Sequence, residues 1–184
     1  MTTPNAGSEE SLSCAFIQNA REFLRDEYFP KIERCLQQLT GEQIWWRANP
    51  ESNSIGNLIL HLCGNARQWI VCGLGQETDR RERQAEFDER KPIARDQLLT
   101  LLRRTIADVD EVLAGFDSRR LLESYPIQGT QSTALAAIFH VTEHFSMHTG
   151  QIILLTKMLA NFDLVFYDFS TGKPVHTWRE AAED

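Results

Sequence analysis

The sequence predicts an all-α protein: a four-helix bundle followed by a short, partly extended C-terminal tail. Three observations carry this expectation. Apolar residues recur at helical spacing along four long stretches. No strand alternates with a helix in the βαβ manner, and no segment repeats. The 184 residues suffice for one domain with its own core, and 42% of them are hydrophobic, an ordinary share for a globular chain. Residues 1–10 are expected to be a flexible N-terminal tail, 11–160 the bundle, and 161–184 an extension that packs on the bundle or on a partner.

The first helix is expected from Ser11 to Leu39, with Phe16, Ala20, Phe23, Leu24, Ile32, Leu36 and Leu39 at helical spacing. Pro30 lacks an N–H and its ring crowds the preceding turn, so it should kink or interrupt this element. TGEQIWWRANPESN is punctuated by Gly, Pro and Asn and reads as a loop. Ser52, Asn53 or Ser54 can cap the second helix, which runs to about Gly73. Residues 74–92 are polar and charged; within them DRRERQAEFDERK interleaves bases with acids and reads as a solvated loop or helix face. The third helix covers about Arg95 to Gly115 on a stripe of Leu98, Leu101, Leu102, Ile106, Val109 and Leu113. ESYPIQGTQS is a turn-rich connection, and the fourth helix runs from about Ser132 to Leu159. The segment NFDLVFYDFSTGKPVHTW reads as partly extended, ending in a helical turn.

Charge and composition narrow the function classes. The formal net charge is −7, and the densest basic stretch is interleaved with acids. A nucleic-acid binder needs a basic face to displace counterions from phosphates, so no nucleic-acid partner is expected. No apolar run reaches the ~18 residues of a membrane span, and MTTPNAGSEESL has neither the basic flank nor the apolar core of a signal peptide. The cysteines at 14, 35, 63 and 72 form no CxxC pair, which suits the reduced thiols of a cytoplasmic protein.

Three of the five histidines lie in HVTEHFSMHTGQI, spaced by four at His140, His144 and His148. On a helix each such step advances ~40° around and ~6 Å along the axis. Neighbours can share one metal, but His140 and His148 stand ~12 Å apart along the axis, too far for bonds near ~2.1 Å. The pair is therefore His140 with His144 or His144 with His148. A further histidine, His61 in NSIGNLILHLCGN, is flanked by Leu60 and Leu62 and should enter the interior of the second helix. His144 and His148 share a stripe with Val141, Ile152, Leu155 and Leu159. Buried imidazoles need partners, and converging neutral nitrogens suit zinc, nickel or a similar divalent ion. A lone histidine on an apolar face is more often a hydrogen-bonded core residue. His140 is the best candidate for that role, or for a contact to substrate or ligand. His176, in a polar tail, reads as surface. Asn57 and Asn65, four residues either side of His61, and Gln151, three after His148, are candidates to orient a ligand or line the pocket.

Two stretches resemble the DinB-like superfamily, the YfiT-type metal-dependent bundles. HVTEHFSMHTGQIILLTKML is similar to the family's last bundle helix, whose HxxxHxGQ motif supplies two metal histidines; here the motif falls on His144, His148, Gly150 and Gln151. NSIGNLILHLCGNARQWI is similar to the second helix of the family, whose histidine is the third ligand, here His61. The two stretches cover 38 residues, in the right order and about 80 residues apart. The resemblance implies a divalent metal ion (Ni2+, Zn2+ or Mn2+) held by His61, His144 and His148, and a homodimer. It also implies a small-molecule substrate, since some relatives are thiol S-transferases using bacillithiol, mycothiol or glutathione. The aromatic residues Phe162, Phe166, Tyr167 and Phe169, outside the shared pattern, are expected to pack on the bundle or a partner.

Three nitrogen ligands leave at least one coordination position open, and open sites are usually catalytic. The nucleophile would then be a metal-bound water or thiolate rather than a side chain of the protein. Cys63 is turned ~200° from His61 on its helix, and the four cysteines read as small hydrophobes. The expected function is thus that of a divalent-metal-binding protein, a metal-dependent transferase joining a low-molecular-weight thiol to a small electrophile. A metal-dependent hydrolase and a non-catalytic metal-binding bundle with a structural or sensing role stand as alternatives.

Overall fold

The first helical rod is continuous across Pro30. Helix α1 (Ala6–Glu22) passes through a π-helical turn (Phe23–Tyr28) into α2 (Phe29–Gln37). The Phe29 N–H reaches back five residues to the Leu24 carbonyl. This wider turn makes room for the Pro30 ring, so the helix is not interrupted there. The structure, a computed structural model, describes residues 6–160 and 163–178. Residues 1–5 of the expected N-terminal tail and Phe162 lie outside the described residues, and the helix already begins at Ala6 rather than Ser11.

The chain is mostly helical, with small two-stranded antiparallel sheets. A short helix, α3 (Gly41–Trp45), forms where a loop was expected. Its cause is a reciprocal cap: Thr40 Oγ1 accepts from the Gln43 N–H, and the Gln43 side chain accepts from the Thr40 N–H. Ser54 is the residue that caps α4 (Ile55–Ala66), again reciprocally, with Asn57. Helix α4 continues into a second π-helical turn (Arg67–Cys72). The charged connection is not all loop; it contains α5 (Arg83–Asp88) ahead of α6 (Arg95–Ala114). The turn-rich connection is a hairpin of β1 (Ser124–Ile127) and β2 (Thr130–Thr133), with Ser124 opposite Thr133. Gln128 and Gly129 both take positive φ, 54° and 76°, the conformation of a two-residue turn whose twist matches the strands. Tyr125 and Ile127 alternate inward along β1. Helix α7 (Ala134–Ala160) follows directly.

Helix α7 packs against α2 and α4, and α4 packs against α6. Ile138, Val141, Phe145 and Ile152 of α7 are buried with Ile32 and Leu36 of α2, Ile59 and Leu62 of α4, and Leu98, Leu102 and Leu113 of α6. The C-terminal strands β3 (Tyr167–Asp168) and β4 (Val175–His176) form a second hairpin docked on the first rod. Arg34 donates to the carbonyls of Leu164, Val165 and Thr177 at 3.2, 3.0 and 3.0 Å, and the Trp178 indole donates to the Asp26 carbonyl at 2.9 Å. His176 is not a surface residue: it is half-buried, stacks on Trp178 and lies 3.4 Å from Glu27. No described helix is long and apolar enough to cross a membrane.

Candidate metal centre

Packing of α7 on α4 brings three histidines together. His61 projects from the middle of α4, His144 and His148 from successive turns of α7, and His61 and His144 are buried. His144 Nε2 lies 3.1 Å from His61 Nε2 and 3.2 Å from His148 Nε2. The donor atoms of all three lie within 4.8 Å of one another. Among the described residues, no other histidine, cysteine or carboxylate joins this group.

The donor set fits a divalent cation. With metal–nitrogen bonds of ~2.1 Å, ligand nitrogens stand ~3.0 Å apart at right angles and ~3.4 Å apart at tetrahedral angles. The two separations from His144 fall between these limits, and the remaining His61–His148 pair lies within 4.8 Å. The hydrogen bonds on the opposite ring nitrogens point the same way. His61 Nδ1 faces Glu86 Oε2 at 2.8 Å and His148 Nδ1 faces Gln151 Oε1 at 2.7 Å. These oxygens favour the tautomer with the proton on Nδ1 and the lone pair on Nε2, while at His61 the Arg81 Nη2 donor, 3.2 Å from Nδ1, competes for the same nitrogen. His144 Nε2 sits between these two lone pairs and can donate to only one of them. A cation at the point of convergence satisfies all three nitrogens at once.

The electrostatics favour the neutral forms of His144 and His148. Burial pushes His144 down to about 3, reinforced by the neighbouring His148, His61, His140 and Arg81. Burial also lowers His148, although its bond to Gln151 works against the shift. Imidazole must be neutral to ligate, so these depressed values favour metal over proton.

Glu86 and Arg81, which complete the surroundings of His61, come from the stretch that the sequence reads as solvated. That reading holds for most of the stretch, which is exposed, but not for Arg81 and Glu86, whose side chains are only 5% and 11% exposed. Arg81 grips the Glu86 carboxylate with two parallel bonds of 2.7 and 2.9 Å and donates to Gln68 Oε1 at 2.8 Å. Burial would raise the Glu86 carboxyl, but the bonds from Arg81 and His61 outweigh it and hold it below its ordinary value. One signal could have found this face. Phe87, the only aromatic residue in DRRERQAEFDERK, packs against His61 with ring centroids 4.6 Å apart.

The remaining candidates take different places. Asn57 lies in the first turn of α4 and donates to the Glu86 and Glu89 carbonyls at 2.8 and 3.2 Å. Asn65 faces His140, with Asn65 Nδ2 3.1 Å from His140 Nε2, and the His140 ring packs on Trp69 at 4.3 Å between centroids. His140 is thus turned away from the three converging nitrogens. Gln151 touches His148 from the solvent side. A cavity of about 310 Å³ beside His148 is lined by Asn53, Leu58, Gln151, Leu154 and Leu155. A larger one, about 750 Å³, lies across Glu86 and Arg81 and includes none of the three histidines, so the smaller cavity is the one that adjoins the candidate chemistry.

By fold and site this is a mostly helical protein with a buried histidine triad able to hold a metal ion. The chain belongs to the DUF1572 family, described as proteins of unknown function, which it matches over residues 11–172, and its fold is DinB-like. Among solved structures it is similar to a DinB-like protein from Bacillus cereus, at 18% identity and a TM-score of 0.55. That likeness covers 74% of this chain and 89% of the other, and at such identity it is a likeness of fold. No curated protein matches the chain.

Proposed function

We propose that the protein is a divalent-metal-dependent enzyme that holds its cation with His61, His144 and His148. We further propose that it joins a low-molecular-weight thiol to a small electrophile. The observation that carries this reading is the convergence of three Nε2 atoms beside a cavity, with no fourth donor among the described residues. Three protein ligands are the pattern of catalytic rather than closed structural sites. Nitrogen donors suit Ni2+ or Zn2+, with Mn2+ as the harder alternative. When bound, such a cation supplies Lewis acidity that lowers the pKa of a thiol or water in its reach.

The residues around the site support the rest of this reading. The three imidazoles bring no negative charge, and Arg81 already pairs with Glu86. The positive charge of the cation is therefore left for an incoming anion such as a thiolate. Leu58, Leu154 and Leu155 offer apolar surface beside His148 for the electrophile. Three of the four thiols are poor nucleophiles: burial pushes Cys63 up to about 12 and Cys35 up to about 11, and raises Cys72. The fourth, Cys14, lies exposed on α1 and bonds Ser118, outside the histidine cluster. The nucleophile then comes from outside the chain.

The same reading takes the long helical segments α1–α2, α4, α6 and α7 as a four-helix bundle and the protein as a cytoplasmic homodimer. Support for the dimer is the exposed face of α7 on which Met147, Leu154 and Met158 recur. The functional test is depletion of monochlorobimane with glutathione, bacillithiol and mycothiol in separate reactions, each with a defined metal load. A rate that depends on metal and exceeds that of His148→Ala is expected with one of them. Absence of any His148-dependent rate refutes thiol transfer and returns the site to hydrolysis or to non-catalytic metal binding.

A further inference from the structure

Helix α4 contains a glycine for which helix formation gives no reason. Gly64 lies in the interior of α4, where glycine is less favourable than alanine because it surrenders more backbone freedom. Its value lies in what it admits. A Cβ at Gly64 would stand 1.9 Å from Glu86 Oε1, 2.8 Å from Glu86 Cδ and 3.0 Å from Arg81 Nε. The bare backbone at Gly64 is therefore the gap through which the carboxylate reaches His61 Nδ1, three residues earlier on the same helix.

Every other freedom of Glu86 is removed as well. Its carboxylate is gripped by Arg81. Its backbone carbonyl accepts from Asn57 Nδ2 at 2.8 Å, and the Glu89 carbonyl accepts from Asn57 and from Arg47 at 3.2 and 3.3 Å. These are carbonyls at the end of α5, which no intrahelical donor satisfies. Arg47 also bonds the Asn57 side chain, so the loop before α4 closes the arrangement. Phe87, the next residue, packs against the His61 ring with the two rings tilted by 42°. A carboxylate held this way fixes both the tautomer and the orientation of the imidazole it touches, and makes the opposite nitrogen a better donor.

We propose that Glu86 is a positioning residue for the histidine site, admitted to His61 by the missing side chain at Gly64, and that the segment 79–89 thereby sets how tightly the site holds a divalent cation. The inference rests on the metal reading above, and its test separates the two. Gly64→Ala is the informative variant. The added methyl meets the tip of a side chain rather than backbone, so the fold is retained while the carboxylate is displaced. No histidine and no charge changes. Glu86→Ala removes the carboxylate directly, and the double variant completes a cycle.

Purified wild-type protein and variants are stripped of metal and titrated with Co2+ against a chromophoric chelator, with the visible Co2+ spectrum recorded at saturation. Thermal unfolding of the metal-free proteins reports the fold. Gly64→Ala and Glu86→Ala are each expected to weaken Co2+ binding by roughly 10–100-fold and to alter the visible spectrum. The double variant should be no weaker than Glu86→Ala alone, and metal-free unfolding of Gly64→Ala should stay cooperative. His148→Ala serves as the reference for a lost ligand. If it loses Co2+ while Gly64→Ala and Glu86→Ala bind as the wild type does, the positioning role is refuted and the metal site stands. Additive losses in the double variant refute it too, because Gly64 would then act through something other than Glu86. If His148→Ala itself binds Co2+ normally, the metal reading fails and this inference with it.

Discussion

Acidifying the metal-free protein should destabilise it through His144. In the unfolded chain this imidazole takes up a proton below its ordinary value near 6.5, whereas in the folded protein burial delays protonation until about 3. Between those values the unfolded state binds more protons, so stability rises with pH and falls on acidification. At pH 7.5 the effect is negligible. At pH 5.0 the unfolded chain gains about 2 kcal/mol from protonating this one residue, which the folded state cannot match. For a domain of this size that corresponds to a fall in Tm of roughly 4–8 °C. The assay is urea and thermal unfolding of chelator-treated protein at pH 7.5 and 5.0, beside His144→Gln, which places a neutral amide in the same space. Carboxylate protonation affects both proteins, so the difference between them isolates His144. The wild type should lose more stability than the variant by about 2 kcal/mol. Parallel losses would refute the claim that burial holds this imidazole neutral.

Metal analysis of His61→Ala, His144→Ala and His148→Ala should show each far below the one equivalent per chain expected of the wild type, while His140→Ala keeps its metal; full occupancy in any of the first three removes that residue from the ligand set. Arg34→Ala removes the donor to the Leu164, Val165 and Thr177 carbonyls and should cost about 2 kcal/mol while exposing residues 163–178 to faster hydrogen exchange. Unchanged exchange there would mean that the C-terminal hairpin is held by its aromatic packing alone. Light scattering at micromolar concentration should give the mass of a homodimer, and Met158→Glu should shift it to a monomer; a monomeric wild type refutes the dimer.

Much of the helical layout could be read from the sequence because helical periodicity is a local property. The stripes of α4, α6 and α7 repeat within a few turns, and each reports which face is buried whatever buries it. The spacing of four that separates His144 from His148 is of this kind, as is the apolar flank of His61. Local chemistry was also enough, in principle, for the Thr40 cap of α3 and for the strands flanking the Gln128–Gly129 turn, although the two stretches read as a loop and as a turn-rich connection. Three decisions belonged to the tertiary structure. Pro30 is tolerated because the preceding turn widens, and backbone geometry of that kind depends on what the rod packs against. His148 rather than His140 joins His144 and His61 in one cluster, because the register of α7 on α4 leaves His140 against Asn65 and Trp69. Glu86 and Arg81 leave a stretch with the composition of a solvated surface and become buried. Charged residues carry no periodic mark of burial; they go inside only where a partner of opposite charge and a gap such as Gly64 meet them, and both are supplied by parts of the chain that become neighbours only on folding.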